Sequence, residues 1–346
     1  MLGFLNIGTE AAPGNQGLWD TFEALRWVKK NARAFGGNPN DITLWGQSAG
    51  AITVGIFMAS PIAENLFHRA ILQSGATSTG ALLFKQNTPK IIKSAFVRLG
   101  CMNETDDWEA TKTDGLKCIK ELDLEEMLNK LKLDKFGLDL IVWQPTIYDG
   151  LIPSNPFSNK GQRLLWAKDI LMTSVSSEGT LFAEIIEKLT GGAIEDIGDF
   201  RTVVTVALKQ VLGISLHQAK LLAQSYLTNE SKPTGNDLKR LISVICGDML
   251  FYCPLEFFAE AAKRNDIRVY RGSFEPRPSY SFWPEYSLMS HADDVPLSTG
   301  KAIKFHANYK EARLFHPTVT INPIKPEEVQ WALDTVRIFG DFVRNG

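Results

Sequence analysis

The chain has 346 residues, 44% of them hydrophobic and 22% charged, a balance that fits one large or two small globular domains and not a disordered or fibrous chain. With 37 basic against 39 acidic residues the formal net charge is -2, which leaves no basic stripe for nucleic acid and no polybasic patch for a membrane surface. No apolar run approaches the roughly eighteen residues of a membrane span, and the four cysteines (Cys101, Cys118, Cys246, Cys253) make neither a disulfide scaffold nor a Cys-x-x-Cys metal or redox spacing.

Residues 1–8 read as the tail of a strand and lack the basic and apolar regions of a secretion signal. A Gly/Pro loop follows, then a helix with Phe22, Leu25, Trp27 and Val28 near helical spacing and Lys29, Lys30 and Arg33 toward its end. Ile42 to Trp45 reads as a short buried strand, and Ala49 to Met58 as a tightly packed helix. Between them stands Gly46-Gln47-Ser48-Ala49-Gly50, a G-x-S-x-G in a strand-turn-helix setting. To lift a serine hydroxyl clear of a sheet the chain must turn sharply, so glycine is expected at both Gly46 and Gly50. The same turn presents the Ala49 N–H, at the positive end of a helix, to an oxyanion.

Phe67 to Gly75 reads as the next parallel strand, with His68 before it and Ser74 at its far end. Strand rise separates those two by roughly 20 Å, so both are read as structural. Residues from about 85 to 140 carry a helical pattern. Asp169 to Val175 is a further strand, running straight into Ser176-Ser177-Glu178-Gly179-Thr180. Taken alone, Glu178 is a loop carboxylate. Residues 180–265 are largely helical, Arg268 to Phe274 reads as the last strand, and Ser290-His291-Ala292-Asp293-Asp294-Val295 is a polar turn beyond it. Val329, Leu333, Val336, Phe339 and Val343 mark one core-facing C-terminal helix.

Phe35-Gly36-Gly37, four residues, and then Ile42-x-Leu44-x-Gly46-x-Ser48-Ala49-Gly50 resembles the active-serine signature of type-B carboxylesterases, the cholinesterase-like branch of the α/β-hydrolases. The resemblance continues through Pro13 to Val28, Phe67 to Gly75, Trp143 to Pro153 and Gly247 to Pro254. It implies an α/β-hydrolase fold: a mainly parallel sheet with helices on both faces, forming a single domain over 1–346 with helical insertions at about 80–140 and 180–265. It also implies Ser48 as nucleophile and Glu178 as the acid of the triad. The base must then follow the acid and lie past the last strand, which excludes His68 and His217 among the five histidines. His291 lies in a turn similar to the family's His-Gly-Asp-Glu, with Ala292 for the usual glycine; His306 and His316 fall in no motif. The expected activity is hydrolysis of a small carboxylic ester through an acyl-enzyme, with no metal or organic cofactor.

The family has a short disulfide loop where Cys101 and Cys118 stand, which implies a bridge between them; two free thiols in a reducing compartment is the other reading. Cys253 matches a cysteine that pairs with one nearer the C-terminus in many members, but no cysteine follows it. Gln47 replaces a glutamate common in the family, which weakens the case for a cationic substrate. The family's Gly-rich oxyanion loop has no counterpart in the sequence, so the donors other than Ala49 are expected to be absent and turnover low. The resemblance therefore implies a chain truncated at both ends that lacks its first strands and aggregates when expressed alone. The alternatives are an impaired fragment or a non-catalytic, neuroligin-like relative. Two sequons, Asn103-Glu104-Thr105 and Asn229-Glu230-Ser231, are about what chance supplies.

Overall fold

The computed structural model describes residues 2–80, 89–131, 143–156, 158–189, 214–226, 235–307 and 324–346, with isolated positions between 202 and 209. His316, the sequon at Asn229 and much of the stretch between 190 and 213 lie outside the described residues.

Four parallel strands make the central sheet in the order β3 (Thr43–Gln47), β4 (Arg69–Gln73), β5 (Asp169–Val175) and β6 (Arg268–Phe274). β4 and β5 are buried at every position, as strands covered on both faces must be. Side chains alternate in direction along a strand. On one face Ala70, Leu72, Ile170 and Met172 join a core built from the helices Gln16–Asn31, Ala49–Met58 and Cys253–Lys263. On the other, Ile71 and Leu171 pack against Phe339 and Phe342 of the helix Pro326–Asn345.

The structure corrects several sequence expectations. The strand read at the N-terminus is β1 (Asn6–Thr9), but it pairs antiparallel with β2 (Ala12–Pro13) as a separate two-stranded sheet and does not join the central one. β3 is half-exposed and not buried, because it is the edge of the four-stranded sheet among the described residues. In Gln16–Asn31 the buried residues are Leu18, Phe22 and Leu25, whereas Trp27 and Val28 face solvent. In the C-terminal helix the buried stripe is Glu328, Ala332, Thr335, Phe339 and Phe342, and Leu333, Val336 and Val343 are exposed. The stripe that packs is set by the Phe339 and Phe342 rings, which fill the hollow over Ile71 and Leu171.

The helices Gly235–Gly247 and Cys253–Lys263 are joined by a π-helical turn, Asp248–Tyr252, into a rod of 29 residues. By length and composition this rod could cross a membrane, which no run in the sequence suggested; more than half of its most apolar stretch is buried inside the protein. Cys101 and Cys118 are joined by a disulfide that ties the end of the helix Pro89–Leu99 to the helix Trp108–Glu121. Cys246 is buried and Cys253 exposed, and both are free.

Candidate active site

In a parallel sheet all strands end at the same edge, and the loops leaving that edge meet there. Ser48 follows β3, Glu178 follows β5, and the loop leaving β6 returns at His291. Residues remote in sequence are thus delivered to one place.

Ser48 sits at φ 54° and ψ -122°, a conformation L-residues rarely adopt, between the end of β3 and the first residue of the elbow helix. The strain is held from both sides. Ser48 N–H donates to the Gln73 carbonyl at 2.8 Å and its own carbonyl accepts from Ile52 N–H at 3.0 Å. A Cβ on Gly46 would strike the backbone of Gly50, and one on Gly75 would come within 2.8 Å of the Ser48 carbonyl oxygen. The two glycines of the motif are not equivalent, however: among the described residues a Cβ on Gly50 would meet nothing within 4 Å. Gly46 carries the steric demand because it lies under the turn, while Gly50 points outward. Ala49 opens the helix, so its N–H belongs to the first turn, where amides have no intrahelical acceptor.

His291 Nε2 lies 2.8 Å from Ser48 Oγ, and His291 Nδ1 lies 2.6 Å from Glu178 Oε2. Glu178 is fully buried and His291 nearly so, while Ser48 is half-buried and open to solvent on one side. The second Glu178 oxygen accepts the Val175 N–H at 3.0 Å. The loops of Glu178 and His291 are stitched together by Ser177 N–H to the Met289 carbonyl at 2.8 Å and by a parallel bridge between Ser177 and Ser290. Trp283 Nε1 donates to the His291 carbonyl at 3.0 Å, and the Phe251 ring lies 5.0 Å from the imidazole. Gln47 Nε2 is 3.5 Å from His291 Nε2, beside the Ser48 hydroxyl. A carboxamide thus stands where a carboxylate would add negative charge.

Burial opposes a charge on His291, but the hydrogen bond and charge of Glu178, with the charges of Asp294 and Asp293, outweigh it and hold the pKa above the usual 6.5. Burial raises Asp293 to about 6 and Asp294 to about 7. Both acids stood in the polar turn quoted from the sequence without a role; paired acids within three residues of a candidate base were the available signal. Tyr252 and Gln73, which also meet this site, had none.

Of the other histidines, His68 accepts the Ile42 N–H on Nδ1 at 3.1 Å at the opposite end of β4, and His217 lies exposed on the helix Leu216–Tyr226. His306 belongs to the helix Lys301–Ala307. Among the described residues no group of His, Cys, Asp and Glu is arranged to hold a metal.

A family model described as the carboxylesterase family matches residues 1–346. The chain is 27% identical over 343 residues to an acetylcholinesterase of Leptinotarsa decemlineata, covering 95% of this chain and 54% of that protein. It is 28% identical over 360 residues to carboxylesterase 1E of Rattus norvegicus, covering 99% and 59%, and 30% identical over 307 residues to carboxylesterase 1D of Mus musculus, covering 85% and 52%. The chain spans about half the length of these curated relatives.

Proposed function

Because this chain belongs to the carboxylesterase family, with the α/β-hydrolase fold of that family, we propose that it encodes a serine hydrolase of small carboxylic esters working through Ser48, His291 and Glu178. The observation that carries the reading is the placement of His291 between the other two, 2.8 Å from the Ser48 hydroxyl and 2.6 Å from the Glu178 carboxylate.

Ser48 Oγ attacks the ester carbonyl while His291 Nε2 takes its proton. Glu178 fixes the tautomer with Nδ1–H toward the carboxylate and stabilises the imidazolium that forms. His291 then gives the proton to the departing alcohol, and water repeats the sequence to release the acid. The Ala49 N–H is the oxyanion donor that the motif itself assigns, and one such donor is worth about 10² to 10³ in rate. With Gln47 beside Ser48, the pocket near the nucleophile is neutral on that side, which favours an uncharged ester over a cationic one.

The test is p-nitrophenyl butyrate hydrolysis by the purified chain, with fluorophosphonate labelling alongside and Ser48→Ala as control. Hydrolysis and labelling that both vanish in the variant support the reading. A folded wild-type chain that neither turns over nor labels overturns it.

A further inference from the structure

We propose that Tyr252 is a positioning residue that fixes the carboxylate of Glu178 against His291, an inference that rests on the triad reading above. The rod of 29 residues that passes behind the site is regular except at Asp248–Tyr252, where it widens into a π turn. Such a turn inserts a residue and rotates the side chains that follow it relative to those before, and it costs helix geometry, so a compensating contact is expected. Here the contacts lie at the candidate site. The Phe251 ring lies tilted against the His291 ring, 5.0 Å between centroids, and the hydroxyl of the next residue, Tyr252, reaches the turn between β5 and Glu178.

That hydroxyl donates to the Val175 carbonyl at 2.5 Å and accepts from the Glu178 N–H at 3.4 Å. It therefore spans the turn, joining the residue that opens it to the residue that carries the acid. Val175 N–H in turn holds Glu178 Oε1 at 3.0 Å, which leaves Oε2 directed at His291 Nδ1. The turn cannot relax away from the rod without losing this. Close packing enforces the arrangement, since a Cβ on Gly179 would lie 2.6 Å from Gly247 N. At the far end of the π turn Asp248 accepts the Tyr226 hydroxyl at 2.6 Å, so both ends of the irregular segment are pinned. Burial raises the Tyr252 pKa, which keeps the hydroxyl protonated and able to donate over any working pH.

Tyr252→Phe keeps the ring and removes this one oxygen. A shift of about 1 Å in a positioned group can cost about 10²-fold in rate, and losing one of the contacts that fix it should cost part of that. We expect kcat for p-nitrophenyl butyrate to fall about 10-fold with KM unchanged. The acid limb of the kcat/KM profile should also move to lower pH, because Glu178 is what holds the His291 proton on. Tyr226→Phe, which loosens the other end of the π turn, should move the limb the same way by less, and it decides the matter if Tyr252→Phe does not fold. An unchanged kcat and acid limb in a folded variant, with Ser48→Ala inactive, overturns the role of Tyr252 and leaves the triad reading standing. Full activity in Ser48→Ala overturns the triad reading instead.

A second inference stands on separate observations. We infer that Asn103 is an N-glycosylation acceptor. Asn103, Glu104 and Thr105 are all exposed, and Asp106 N–H closes a turn onto the Asn103 carbonyl at 3.2 Å. Among the described residues the Asn103 amide nitrogen hydrogen-bonds only to the Asp106 carboxylate, at a long 3.3 Å. Two residues before it, Cys101 is bonded to Cys118, and disulfides form and persist in oxidising compartments, where glycan transfer also takes place. In the transfer, Asn103 Nδ2 bonds to the anomeric carbon of a lipid-pyrophosphate oligosaccharide. The bond from that carbon to the pyrophosphate oxygen breaks, the lipid pyrophosphate leaves, and the amide gives up one proton. The full chain, sent into the secretory pathway of a eukaryotic host by an added signal peptide and treated with a peptide-N-glycosidase that hydrolyses the glycan–asparagine amide, should yield the 103 peptide with aspartate in place of asparagine, and Asn103→Gln should abolish the accompanying mobility shift. Recovery of that peptide only as unmodified asparagine overturns the assignment.

Discussion

Gln73, the last residue of β4, donates its Nε2–H to Asp294 Oδ2 at 2.7 Å while its own Oε1 accepts the Trp45 indole N–H at 2.6 Å. The other Asp294 oxygen is buried and has no hydrogen-bond partner among the described residues. A carboxylate that is half-satisfied and sealed from water is costly to ionise, which is why its pKa rises to about 7.

That relationship has a signed consequence for stability. The usual aspartate value is 3.8, so between about 3.8 and 7 the folded protein binds more protons than the unfolded chain. Stability therefore falls as pH rises through that window and stays low above it. Asp294→Asn keeps the acceptor for Gln73 and removes the ionisation. Its melting temperature should exceed that of the wild type above pH 7 and approach it near pH 4, as scanning calorimetry across pH would read.

The proposed role of His291 sets the activity profile. If His291 is the general base it must be unprotonated, and its pKa is held above 6.5, so kcat/KM should rise through a midpoint above that value. Glu178→Gln removes the charge, and the charge-assisted part of the hydrogen bond, that raise it most, so burial weighs more heavily against only Asp294 and Asp293. The midpoint should shift down while the rate drops by about 10⁴, the size seen when a triad acid is replaced by its amide. Asp294→Asn should shift the midpoint in the same direction with a far smaller loss.

The two motif glycines should respond oppositely. Gly46→Ala places a methyl into the Gly50 backbone and should cost about 1–3 kcal/mol or more, with loss of activity. Gly50→Ala adds a methyl in open space near the start of a helix and should be neutral or stabilising by up to about 1 kcal/mol. Urea denaturation of both variants separates the outcomes.

The disulfide closes a loop of sequence separation 17. Constraining a loop of that size in the unfolded chain contributes about 3 kcal/mol. Cys101→Ser with Cys118→Ser should lose about that much stability without changing the acid limb, since neither cysteine approaches the site.

On the back of the sheet, Phe339→Ala should cost about 3–5 kcal/mol because its ring fills the hollow over Ile71 and Leu171. Leu333→Ala, on the exposed side of the same helix, should stay within about 0.5 kcal/mol. Paired denaturation curves would register the difference.

The sequence by itself made most of the elements legible, together with the candidates for chemistry. β5 and β6 run over the residues read as strands; in β5 the apolar run Ile170-Leu171-Met172 ahead of a polar turn leaves few other conformations. The G-x-S-x-G was legible because a strained turn restricts which residues can stand in it. Only the tertiary structure decided which faces are buried and what supports the candidate site. Trp27, Val28 and Leu333 are apolar but point to solvent, since burial depends on what lies opposite and not on the side chain alone. The support that Tyr252, Gln73 and Asp294 give to the site depends on a π turn and on strand order, which bring together residues as far apart as Gln73 and Asp294. No local pattern in a sequence encodes a distance of that kind, because it is fixed by how the strands pair.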